Sequence, residues 1–146
     1  MKKFKFSLET VLSYKEQIEN NLRTEHAAAL KQVMQQEQKI EELKAKETKT
    51  REELNDYRSG GFKVLEIQTF EKYLSYLKGE INREMMVLAG LKRKEEEKRR
   101  EFLQARTETK SITKLKEKRL EEYHKLESKL EELNIEEFIS RKESLA

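Results

Sequence analysis

Between Leu74 and Leu133, a helical repeat of threes and fours runs without a break, and it leaves the chain few folds to choose from. Its members are Leu74, Leu77, Ile81, Glu84, Leu88, Leu91, Glu95, Lys98, Phe102, Ala105, Thr109, Ile112, Lys116, Arg119, Tyr123, Leu126, Leu130 and Leu133, and twelve of these eighteen are apolar. On an α-helix that spacing draws one narrow apolar line, the seam of a coiled coil. A line so thin cannot hold a helix in water by itself, so it must be buried against a second helix.

A second stripe lies upstream. Ser7 reads as a helix cap, Glu9 as the acidic residue of a first turn, and Phe6 as a staple onto Val11. The stripe then takes in Leu8, Val11, Lys15, Ile18, Leu22, His26, Ala29, Val33, Gln36, Ile40, Leu43, Glu47, Thr50, Leu54 and Tyr57. Two successive steps of four, at Leu22 and His26, predict a stutter where the supercoil locally unwinds. Gly60 and Gly61 follow the last stripe residue and form the expected hinge. The organisation is therefore a single all-α domain, a long antiparallel two-helix coiled-coil hairpin over 1–146. Helix 1 spans 7–58, the hinge 59–68, helix 2 69–139, and 140–146 is a frayed tail. The helices should be roughly 75 Å and 95–100 Å long. An intermolecular coiled coil is the rival geometry at this stage.

The composition agrees with long helices and excludes several functions. Ala, Glu, Lys, Leu and Arg supply 85 of 146 residues, proline is absent and only four glycines occur, so little interrupts a helix. Two of those glycines, Gly79 and Gly90, lie inside helix 2, as tolerated surface residues or as points of close approach to a partner. Residues 1–58 hold 12 basic against 11 acidic groups, and 59–146 hold 20 against 18. Neither half is the unpaired basic patch that phosphate binding needs, so nucleic acid is not an expected partner. The ten charges KRKEEEKRRE at 92–101 read as an exposed helical spacer with i,i+4 pairs Glu95–Arg99 and Glu96–Arg100. With no cysteine and two distant histidines, His26 and His124, neither a disulfide nor a metal site is expected. Nor is a cofactor. No signal-like or membrane-spanning run occurs, so a cytoplasmic location is expected. A two-helix seam offers no converging pocket, and catalysis is not expected.

The opening FKFSLETVLSYKEQIEN, with Phe6, Leu8, Val11, Leu12, Lys15, Glu16 and Glu19, resembles the start of the FliJ family of bacterial flagellar protein export. The likeness continues through Tyr57, the Tyr73-Leu74-x-x-Leu77-x-x-x-Ile81 segment, Arg99-x-x-Phe102-x-x-Ala105, and Leu115-Lys116-Glu117 with Tyr123. The resemblance implies a hairpin similar to the central stalk of rotary ATPases. Its implied partners are the export ATPase hexamer, the cytoplasmic domain of the membrane export gate and, for some members, empty export chaperones. It places gate binding at Tyr73, Leu77, Glu80 and Glu84. Of these, Glu80 and Glu84 depart from the family's small residue and histidine. ATPase binding falls on the paired ends, at Phe4, Phe6, Leu8, Val11, Leu12, Lys15, Ile18, Tyr123, Leu126, Leu130, Leu133 and Phe138. The resemblance implies a non-enzymatic protein, peripheral to the inner face of the membrane at the flagellar base, while one long stripe on each side of Gly60-Gly61 predicts that it is monomeric alone. The competing class is a generic coiled-coil spacer or oligomerisation module without an export role.

Overall fold

The computed structural model describes residues 2–145. Helix α1 (Glu9–Ser59) and helix α2 (Val64–Leu145) are joined by residues 60–63, and there is no strand among the described residues. The chain groups into two compact units. One combines the described residues up to Asn21 with those from Leu103 onward, and the other is Leu22–Phe102. Within each unit the two helices run antiparallel, because partner numbers fall on α2 as they rise on α1. In the first, Ser7 meets Arg119, Glu9 meets Lys116 and Lys15 meets Glu108. In the second, His26 meets Glu95, Gln36 meets Glu84 and Arg58 meets Glu71.

The reversal is shorter than the sequence implies. Gly61 alone takes the left-handed conformation, at φ +88°, where a Cβ would crowd the following carbonyl. Gly60 needs no such freedom. The Glu66 and Ile67 amides then donate to the Lys63 carbonyl at 3.1 and 3.2 Å, so α2 begins at Val64 rather than at Thr69. Nothing in Val64 to Gln68 breaks a helix, and Glu66 sits in the first turn, where the dipole favours it. At the other end α2 continues to Leu145, with Lys142 in its last turn. Residues 140–145, expected to fray, are therefore helical, and Ala146 lies outside the described residues.

The seam follows both stripes with one slip. Leu12 is 4% exposed and Val11 41%. Phe6 is buried, whereas Val11, its expected staple partner, is exposed. Replacing Val11 by Leu12 and Ile18 by Glu19 makes the series Leu8, Leu12, Lys15, Glu19, Leu22, His26, Ala29, a strict alternation of four and three whose members are all buried or half-buried. No stutter remains at Leu22–His26. Nor does Ser7 act as the cap: its hydroxyl accepts from Arg119 Nη1 at 2.9 Å, while the Glu9 amide donates to the Phe6 carbonyl at 3.1 Å.

In the second unit Ala29, Val33, Ile40, Leu54, Leu77 and Ile81 form the buried apolar layers. Thr50 and, in the first unit, Thr109 are buried without cost to polar pairing. Each hydroxyl donates to its own helix at i−4, to the carbonyls of Lys46 (2.8 Å) and Ala105 (2.9 Å). No buried side-chain polar atom among the described residues lacks a partner.

Gly90 is exposed, and a Cβ built there meets nothing within 4 Å. Within the chain, then, no close packing of α1 requires a glycine at this position. Gly90→Ala should therefore stabilise the hairpin by about 1 kcal/mol, the helix-propensity difference. Urea unfolding checks this: the midpoint should rise with an unchanged slope.

Candidate interaction surfaces

The charged run 92–101 is only partly solvated. Its two seam members reach across to α1. Glu95 Oε1 lies 2.8 Å from His26 Nε2, and both side chains are largely shielded. The His26 ring stacks on Phe102 at 6.3 Å between centroids, and the Arg23 guanidinium lies 5.4 Å from the same Phe102 ring. Lys98 donates to Glu25 at 3.0 Å, and that bond, reinforced by Glu101 and by Glu25's charge, raises the ammonium's pKa above its ordinary value. The expected Glu96–Arg100 pair forms at 3.3 Å, whereas Glu95 faces His26. The stretch is thus a polar section of the seam, more than a spacer. His124 is exposed, its ring set edge-on to Tyr123 at 5.8 Å.

Of the four residues assigned to gate binding, only Tyr73 presents substantial apolar surface. Leu77 is the most buried side chain described, 2% exposed, and belongs to the seam. This removes it from any docking face, because a side chain covered by α1 cannot also be covered by a partner. Glu80 is paired with Arg83. Glu84 accepts from the Gln36 amide and lies 3.1 Å from the Lys39 ammonium. Tyr73 is 43% exposed and stacks with Tyr76, rings 6.4 Å apart and 21° from parallel. Tyr76 lies off the three-and-four series, and an off-series aromatic in so charged a chain is itself a sign of a surface role.

Beside Tyr73 a groove of about 450 Å³ opens between the helices near the reversal, lined by Thr50, Glu53, Tyr57, Glu66, Thr69, Phe70 and Tyr73. Tyr57 and Phe70 tilt together at 5.9 Å. The Tyr57 hydroxyl donates to Glu66 and accepts the Lys63 amide at 3.2 Å.

The Gln36 hydrogen bond, followed by that of Lys39, holds the Glu84 carboxyl below its ordinary value of 4.5. A depressed folded-state pKa means that the unfolded chain binds more protons in this window. The stabilisation is therefore complete above the ordinary value and disappears as pH falls through the folded one. Glu84→Gln should flatten the dependence of melting temperature on pH between about 6 and 3. A parallel series of melts for the two proteins checks it, and equal slopes would count against the assignment.

The residues assigned to ATPase binding divide in the same way, all within the first unit. Phe6 and Leu12 are buried, and Phe4, Leu8, Lys15, Ile18 and Tyr123 are half-buried. Phe4 packs on Tyr123 at 5.5 Å, Lys15 bonds Glu108 at 2.9 Å, and Arg119 lies 5.8 Å from the Phe6 ring. The Tyr123 hydroxyl donates to the Lys2 carbonyl, and burial followed by the Glu127 charge pushes its pKa up. These groups close the hairpin end. Beyond Tyr123, α2 has no α1 residue facing it in the contacts that hold this unit, and the stripe runs on exposed. Leu126, Leu130 and Leu133 are 56%, 45% and 49% exposed, and Phe138 is exposed too. At 100° per residue the three leucines share one face. Ile135, Phe138 and Ile139 lie around the other side, all exposed. Ile135 and Ile139 escaped the sequence reading because they sit off the series that defines the seam.

Among the described residues no helix is long and apolar enough to cross a membrane, and no group of His, Cys, Asp or Glu could hold a metal ion. What fold and surfaces define is an all-α helical hairpin that keeps exposed apolar area beyond its own seam. The model of one family, described as Flagellar FliJ protein, matches residues 4–144. The chain belongs to that family, and so to the proteins associated with flagellar export. No curated protein and no solved structure matches it.

Proposed function

We propose that this chain is a non-enzymatic stalk component of the flagellar export apparatus, with one docking surface in each of its two units. The free end of α2, with Leu126, Leu130 and Leu133 on one face and Phe138 around the other side, engages the export ATPase ring. Tyr73, with Tyr76 beside it, engages the cytoplasmic domain of the export gate, which places the protein peripherally at the inner face of the membrane. Empty export chaperones are its further cargo, and alone it is a monomer. The observation that carries the reading is the apolar stripe continuing past the end of the hairpin, where no residue of α1 covers it. A seam repeat maintained over an unpaired stretch is surface reserved for another helix or ring.

The test is titration of the full-length chain with the purified export ATPase and, separately, with the purified gate domain from the same cells. Saturable binding to each at physiological salt is the expected result. Binding to neither would leave the coiled-coil spacer as the better description.

A further inference from the structure

The groove beside the helix reversal has a composition that a seam does not require. Three aromatic rings, Tyr57, Phe70 and Tyr73, wall it, and two carboxylates, Glu53 and Glu66, stand at its edge. No lysine or arginine is among its lining residues. The nearby guanidiniums are engaged elsewhere, Arg58 with Glu71 at 3.1 Å and Arg51 with Glu47 at 2.6 Å. Glu66 accepts from Tyr57, whereas Glu53 has neither an ion pair nor a hydrogen bond in the described structure. An aromatic wall attracts a cation through the ring quadrupole, and a carboxylate at the rim adds a charge-assisted hydrogen bond. A neutral apolar side chain would use the rings but leave Glu53 unanswered. An anion would be repelled by both carboxylates.

We infer that this groove receives a basic side chain, arginine above lysine, projecting from the protein that docks beside Tyr73. Arginine is favoured because its planar guanidinium can lie on a ring and still fork two hydrogen bonds to a carboxylate. The inference rests on the reading that a protein partner docks at this end, and it adds the chemistry by which that partner is recognised.

The probe is Nα-acetyl-arginine amide, with the citrulline amide as its uncharged isostere, titrated into the full chain and followed by NMR. The arginine probe should shift the resonances of Tyr57, Phe70 and Tyr73 together, and the citrulline probe should not. Glu53→Gln, which removes charge without removing a native partner, should weaken the arginine probe about two- to fivefold, the scale of one exposed ion pair. Tyr73→Leu should weaken it by a similar factor. Equal shifts with both probes, or arginine-induced shifts scattered over the acidic surface, would overturn the inference. So would an unchanged affinity in Glu53→Gln whose spectrum is otherwise native. The gate-domain titration is read separately: its failure would remove the proposed partner, while the two small probes still decide what the groove binds.

Discussion

Replacing Leu77 by alanine should lower the melting temperature of the chain by roughly 6–15 °C. Leu77 is the most deeply buried side chain described, and deleting a buried leucine to alanine costs about 2–5 kcal/mol. For a chain of this size each kcal/mol corresponds to about 3 °C. The effect should fall in the upper part of that range, because a two-helix seam has only a few layers and little around them can collapse into a cavity. Tyr73→Ala, at a neighbouring but 43% exposed position, should shift melting far less. Circular dichroism melts of the two variants at one concentration would check the contrast. Leu77→Ala melting within about 2 °C of the parent would mean that the seam is not as described. The same result matters for binding work. A Leu77 variant that loses a partner reports loss of fold, so partner docking is to be tested through Tyr73 and Tyr76.

The two helices and their antiparallel seam were legible because one period, three and four, persists over most of the chain. The same period explains the errors. Starting from Leu8, a step of three reaches Val11 and a step of four reaches Leu12, and both are apolar. Only the constraint of matching His26, Ala29 and Val33 downstream selects Leu12, and with it Glu19 in place of Ile18, which together dissolve the predicted stutter. Leu77 shows a second limit. The series already placed it in the seam, and the family pattern placed it on a docking face. Burial decides for the seam. The start of α2 was illegible for another reason: Phe62 to Gln68 is too short for a period to declare itself, and the Lys63 carbonyl that begins the helix carries no side-chain signature. The cross-helix pairing of His26 with Glu95, and of Lys98 with Glu25, depends on which residues the reversal brings opposite each other. A reversal shortened to residues 60–63 sets that register, and the sequence did not define its length.

Changing Leu126, Leu130 and Leu133 together to glutamine should cost export-ATPase binding about two orders of magnitude while leaving the hairpin intact. Each leucine is about half exposed already, the state of a side chain shielded only by its own helix. Folding of the hairpin therefore gains little from them, and glutamine keeps a comparable helix propensity. Exposed substitutions of this kind stay within about 0.5 kcal/mol each, so melting should change by only a few degrees. Docking is different. Full burial of a leucine is worth about 1.5–3 kcal/mol, and the half not yet shielded about 1 kcal/mol apiece. Three such losses on one face sum to about 3 kcal/mol, or roughly 100-fold in affinity. The gate-domain titration should be unaffected, since Tyr73 and Tyr76 belong to the other unit. Sedimentation of the parent and the triple variant separates the remaining possibility. If these leucines pair with a second copy of the chain, the parent will sediment as a dimer that the substitutions dissociate. In that case the face belongs to self-association rather than to the ATPase.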